Sequence, residues 1–157
     1  MDYTERVSEI MAPLIVEYPD SFDAGTHQSA WVDITPYHRV WLMFMLGDMA
    51  QGASLDWVDL HMATSAAGAD ENDINVIDPG TDDVTTTDGT YTQAGGNGNE
   101  LICIEMRVEE MAYDREHHWV SVVVETSGGA IEYSWILFGV SPRVAPVPAT
   151  AWSEVVD

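Results

Sequence analysis

The sequence predicts an all-β protein: an antiparallel β-sandwich, with a jelly roll as the preferred topology and another Greek-key sandwich as the second choice. Three observations carry this. Several segments alternate their side chains with a period of two, as strands do. Turn formers separate those segments, among them Pro36, Gly47, Asn97-Gly98 and Thr126-Ser127-Gly128-Gly129. No stretch holds a helical period for long. Counting segments gives about seven or eight strands.

Residues 1–28 read as an N-terminal arm, extended over 12–18 between Pro13 and Pro19, with a short helical turn over 4–11. Its few apolar residues cannot build a core, so it is expected to lie along the domain or reach a neighbour. The sandwich domain is placed at 29–141. Its first strand, 29–35, carries Trp31, Val32 and Ile34 and ends at Pro36. The segment 37–46 is the strongest strand of this half. Val40, Leu42, Phe44 and Leu46 fall on one side and Arg39, Trp41, Met43 and Met45 on the other.

Only one face of such a strand can meet the interior of a two-layer fold. The second apolar face, with Trp57 in the strand 55–62 repeating the pattern, therefore calls for a cover. The leader, a loop or another subunit would supply it. Trp41, Met43, Met45 and Trp57 are on this reading subunit contacts.

Residues 47–54 connect, with 48–50 as a possible strand end, and 64–99 is a long acidic loop rich in Ala, Gly, Asp, Thr and Asn. Short strands within it are expected at 74–77 and 90–93. The chain is then organised around 101–108, 119–125 and 131–140, read as a meander of three consecutive strands. Residues 142–157, with Pro142, Pro146 and Pro148, form an extended C-terminal tail.

At 157 residues the chain is one domain by default, and 46% hydrophobic residues with six Trp argue for a folded core. Against 27 acidic residues stand five basic ones, all Arg, for a net charge of −22. Nucleic acid and anionic membrane surfaces are excluded as partners, because a basic footprint is missing. Abundant Asp and Glu without Lys suits a salt-rich cytoplasm, where a Debye length of about 3 Å near 1 M salt screens self-repulsion. A halophilic host is expected.

Cys103 stands alone, which rules out an intrachain disulfide and a cysteine zinc site. The N-terminus has no basic n-region, and the longest apolar run, 40–46, is far short of a membrane helix. A soluble chain outside the usual secretory route is expected.

Little chemistry emerges. His117 and His118 are adjacent, which on a strand sends them to opposite faces, and His27, His38 and His61 are isolated, so no metal site is expected. Asp70, Glu71, Asn72, Asp73, Asp82, Asp83 and Asp88 are oxygen-rich but lack the spacing of a calcium loop. A weak Ca²⁺ or Na⁺ site there is the most they suggest. With no catalytic residues and no cofactor indicated, the chain is not read as an enzyme.

Several segments together resemble a family of small structural proteins encoded beside the major capsid protein in tailed phages and prophages. They are Trp31-Val32-Asp33-Ile34 with Tyr37-His38-Arg39, the run from Asn99 to Arg107, Glu109-Glu110-Met111 before Trp119, and the closing run from Gly139 to Val147. The resemblance spans roughly 31–147 and rests on strand patterns. It implies a jelly-roll cement protein that decorates the outside of the head as a trimer, after synthesis in the host cytoplasm. The major capsid protein would be its partner. Arg143, Pro146 and Trp152 of the tail, with Tyr3 and Arg6 of the arm, are the capsid contacts it suggests. The chain departs from the family in its charge, its missing Lys and its long acidic loop. A tail, turret or host-glycan-binding jelly roll is the alternative, and a cupin-like metalloenzyme a more distant one.

Overall fold

A computed structural model describes residues 10–73, 91–92, 100–111 and 117–143. Ten strands are formed among them: β1 (Met11–Phe22), β2 (Gly25–Gln28), β3 (Val32–Asp33), β4 (Tyr37–Met49), β5 (Ser54–Ala63), β6 (Asn72–Asp73), β7 (Tyr91–Thr92), β8 (Glu100–Arg107), β9 (Trp119–Ser127) and β10 (Ile131–Pro142). A single helical turn, Val108–Met111, follows β8.

Sheet I has the order β1-β10-β4-β8, and sheet II the order β2-β9-β5-β6, with β3 also on β9 and β7 also on β5. All pairings are antiparallel. The short pairs β2/β3 and β6/β7 each occupy one flank of their sheet, so eight strand positions remain, in orders 1-8-3-6 and 2-7-4-5. That is the path of a jelly roll, two interlocked Greek keys. The expected fold class holds.

The core forms where the two inner faces meet. Val40, Leu42, Phe44 and Leu46 of β4, Tyr133, Trp135 and Leu137 of β10, and Ile104 and Met106 of β8 face Val58 and Leu60 of β5 and Val120, Val122 and Val124 of β9. Each such side chain contributes about 1.5–3 kcal/mol by leaving water.

Two expectations are corrected. Residues 11–28, read as an arm, supply β1 and β2, one strand to each sheet. The prolines that made this stretch look like a leader are accommodated because β1 is an edge strand, where a missing N–H can face solvent. The pairing of β1 with β10 shifts between Pro13 and Ile15 and between Glu17 and Asp20, so both prolines sit at irregularities. Residues 1–9 lie outside the described part.

The meander is the second correction. β8 pairs with β4, β9 lies in the other sheet, and β10 sits between β1 and β4. The turn after β9, with Gly128 at φ 77°, joins the two sheets instead of closing a hairpin. Alternation tells which residues share a face, whereas partners are set by topology.

Boundaries shift modestly. β4 continues to Met49 through the residues read as a connection, and the strand read at 29–35 shortens to β3. Residues 74–90 and 93–99 of the acidic loop, and 144–157 of the tail, are outside the described residues. Within the segments read as short loop strands, β7 is seen.

Candidate docking face

On β4 the alternation that buries Val40, Leu42, Phe44 and Leu46 turns Trp41, Met43 and Met45 to the outer face of sheet I. Pairing carries this face across all four strands. Trp41 lies opposite Phe138 and Glu105, Met43 opposite Ile136 and Cys103, and Met45 opposite Ser134 and Leu101. Val16 of β1 lies opposite Ile136, extending the middle row to Val16–Ile136–Met43–Cys103. The indole of Trp41 stacks on Phe138, with ring centroids 5.7 Å apart.

The described residues with large, exposed apolar side chains are Val16 (43%), Tyr18 (76%), Met45 (36%) and Leu101 (60%), and all belong to strands of sheet I. Leu101, Val16 and Ile136 were not singled out from sequence. Leu101 continues the phase of Cys103, Glu105 and Arg107, but only its pairing with Met45 shows that it extends the apolar face of β4.

Trp57 does not join them. It lies on β5, in sheet II, opposite Glu125 and in line with Asp59 and His61 on the outer side of that sheet. Its ring stacks on His61, 6.0 Å away and inclined by 10°. This second outer face is largely closed by the chain itself: Ser121 and Val123 of β9 point away from the core and are still buried. The cover is the 64–73 segment. Glu71 Oε1 accepts hydrogen bonds from His61 Nδ1 and Gln28 Nε2, both at 2.7 Å, and Gln28 Nε2 also reaches Ser121 Oγ at 3.0 Å. His117 Nε2 donates to the Asp70 carbonyl at 3.1 Å. Among the described residues a local loop thus covers the outer face of sheet II, and none covers that of sheet I.

Charge on sheet I is segregated. Arg39, Arg107 and Arg143, the three described arginines, gather at the end where β4 begins and β8 and β10 finish. Arg39 Nη1 meets Glu105 Oε1 at 2.6 Å across β4 and β8, and Arg143 Nε donates to the Tyr37 carbonyl at 3.1 Å. Glu109 is exposed at this same end. The opposite end exposes Glu132, Asp48 and Asp20 and has no described arginine.

Of the capsid contacts suggested by the resemblance, Arg143 is exposed at the close of β10, while Tyr3, Arg6, Pro146 and Trp152 lie outside the described residues. His117 and His118 precede β9 and are not on a strand. Among the described residues no three His, Cys, Asp or Glu side chains form a group able to hold a metal ion.

Burial raises the pKa of Tyr37, and burial reinforced by the negative charge of Glu17 raises that of Tyr133 well above a tyrosine's ordinary value. Both groups stay neutral, which suits a packing role.

No family model matches the chain, and no curated protein matches it. A chain from the structure of infectious bursal disease virus, Gx strain, is similar at 12% identity with a TM-score of 0.43, over 87% of the present chain. The match spans 32% of that viral chain.

Proposed function

We propose that this chain is a virion structural protein that decorates and stabilises the head of a tailed virus of a halophilic host. One observation carries the reading: the outer face of sheet I is apolar over four strands and, among the described residues, lacks the cover that the 64–73 segment gives sheet II. In a chain carrying −22 charges, such a face supports contact with other polypeptides of the particle. The sequence resemblance to head decoration proteins supports the same role, and the acid-rich, lysine-free composition supports the halophilic host.

The mechanism is mechanical. Each docked copy buries surface that must be exposed again before the shell can open, and interfaces of ~800 Å² per partner repeated over a lattice add up. Mass spectrometry of purified particles tests this. The chain is expected as a stoichiometric component, and particles lacking it are expected to release DNA at a lower temperature. Its absence from clean particles ends the reading.

A second reading has its own observation. Trp57, half-buried and stacked on His61, with the exposed Glu71 bonded to that ring, offers a shallow aromatic and acidic surface of the kind that holds a sugar ring. Binding on a glycan array that is lost in Trp57→Ala would favour a host-glycan-binding module.

A further inference from the structure

We infer that the outer face of sheet I docks on the same face of a second copy of this chain, strands antiparallel, about a two-fold axis beside the row Val16–Ile136–Met43–Cys103. This rests on the reading of the chain as a multi-copy structural protein and names the partner of its apolar face.

The position of the axis follows from the register. Val16, Ile136, Met43 and Cys103 fall near the middle of β1, β10, β4 and β8 and lie side by side. A two-fold axis in the plane of contact along this row sets each strand against its own copy, running the other way. The apolar side chains then meet at the centre, and Met45 and Leu101 of each copy lie over the half of the partner that carries Trp41 and Glu105.

Charge selects this orientation. The arginine end of one copy, Arg39, Arg107 and Arg143, comes to rest on the end of the other that exposes Glu132 and Asp48. Glu132, four residues before Ile136, falls opposite Val140 of the other copy, whose partner on β4 is Arg39, so Arg39 and Glu132 come together twice in the pair. The other face-to-face two-fold, with its axis along the strands, would stack arginines on arginines and carboxylates on carboxylates, and like charges in contact are strongly disfavoured. A surface complementary to itself only when reversed is what an isologous contact requires.

The area is sufficient. Four strands at ~4.8 Å spacing and ~10 residues at ~3.3 Å each give roughly 600 Å² per copy, close to the ~800 Å² per partner of a stable interface. Apolar burial supplies the affinity and the charged ends the direction. Two copies with −22 charges each repel one another at long range, so pairing strengthens with salt.

The test uses the full-length chain in KCl buffer. Sedimentation equilibrium is expected to give a dimer. Leu101→Asp, at an exposed edge-strand position, is expected to weaken association at least 10-fold. A short bismaleimide is expected to join Cys103 to Cys103 of the second copy in the unmodified chain, since the thiols face each other near the axis. Arg39→Glu should weaken pairing, and adding Glu132→Arg to it should restore affinity.

A monomer, a trimer of the kind the resemblance implies, or a dimer whose Cys103 residues do not cross-link overturns the pairing. Failure of the double charge reversal to restore affinity overturns the orientation. None of these touches the virion reading, which fails separately if a chain that pairs in solution is absent from particles.

Discussion

Phe22, the last residue of β1, lies flat on Tyr133 of β10, with ring centroids 4.1 Å apart and planes inclined by 8°. The same ring meets His27 edge-on at 5.2 Å, tying β1 to the start of sheet II. The N-terminal segment is thus built into the sandwich. Phe22→Ala is expected to cost about 2–4 kcal/mol, from lost apolar burial, a cavity and a lost aromatic pair. Urea denaturation measures this directly. A loss below about 0.5 kcal/mol would restore the picture of a detachable arm.

What the sequence disclosed follows from which interactions are local. The period of two in β4 shows that Leu42 and Met43 face opposite ways, because that is a property of one strand. It does not show that Met45 neighbours Leu101, 56 positions later, because pairing across a sandwich depends on the path of the whole chain. Pro13 and Pro19 argued against a strand, as they do for a central one; only the edge position of β1 makes them tolerable. Likewise Thr126-Ser127-Gly128-Gly129 signalled a turn correctly, but a turn does not state whether it closes a hairpin or crosses between sheets. The apolar outer face was legible on one strand, and the cover that Glu71 provides on sheet II was not, since it depends on partners at Gln28 and His61.

The hydroxyl of Tyr133 is buried without a hydrogen-bond partner among the described residues. Such a group costs about 1–3 kcal/mol in desolvation, so Tyr133→Phe is expected to leave stability unchanged or raise it by about 1 kcal/mol. The variant also changes the alkaline limb. Tyr133 has a raised pKa in the folded chain and an ordinary value near 10 when unfolded. Its contribution is therefore fully present below about pH 10 and is lost as pH rises through the folded value, because the unfolded state releases its proton first. Unfolding midpoints measured across pH 9 to about 11 should fall with rising pH in the native chain and fall less steeply in Tyr133→Phe.

Gly139 on β10 is covered by the ring of Tyr37, and a Cβ added there would lie 2.6 Å from three ring carbons. Tyr37 is part of the strand end that also holds Arg143, through its carbonyl. Gly139→Ala is expected to displace the ring and destabilise by about 1–3 kcal/mol, the range for overpacking. Pairing it with Tyr37→Ala should recover part of that loss. Thermal melts of the two single variants and the double form the cycle that decides it.

With 27 carboxylates and five arginines, self-repulsion opposes folding in dilute buffer. Raising KCl from about 0.1 M to about 3 M shortens the Debye length from about 10 Å to under about 3 Å, removing most of that repulsion. The melting temperature is expected to rise steeply over this interval. A flat response would remove the halophilic interpretation while leaving the sandwich and its apolar face untouched.

The cover on sheet II should be separable from the stability of the whole. Glu71 is partly exposed, and its two bonds to His61 and Gln28 join one loop to one sheet face, so by the behaviour of surface ion pairs Glu71→Ala should cost the global fold under about 1 kcal/mol. Locally the effect is larger: besides Glu71, the 64–73 segment is tied to the rest of the chain by the short pairing of β6 with β5 and by His117 on the Asp70 carbonyl. The Thr64 amide bond to the Ala69 carbonyl and the Gly68 amide bond to the Ser65 carbonyl lie within the loop itself. Hydrogen exchange reads this difference. The Thr64 and Gly68 amides are expected to exchange several-fold to about 10-fold faster in Glu71→Ala, while those of Leu137 and Leu42 in the central strands keep their native rates. Gln28→Ala removes one of the two bonds and should give an intermediate rate. Equal acceleration at loop and core would mean that Glu71 holds the sandwich together. No acceleration at either would mean that the loop is kept in place without it, and that Ser121 and Val123 stay buried for another reason.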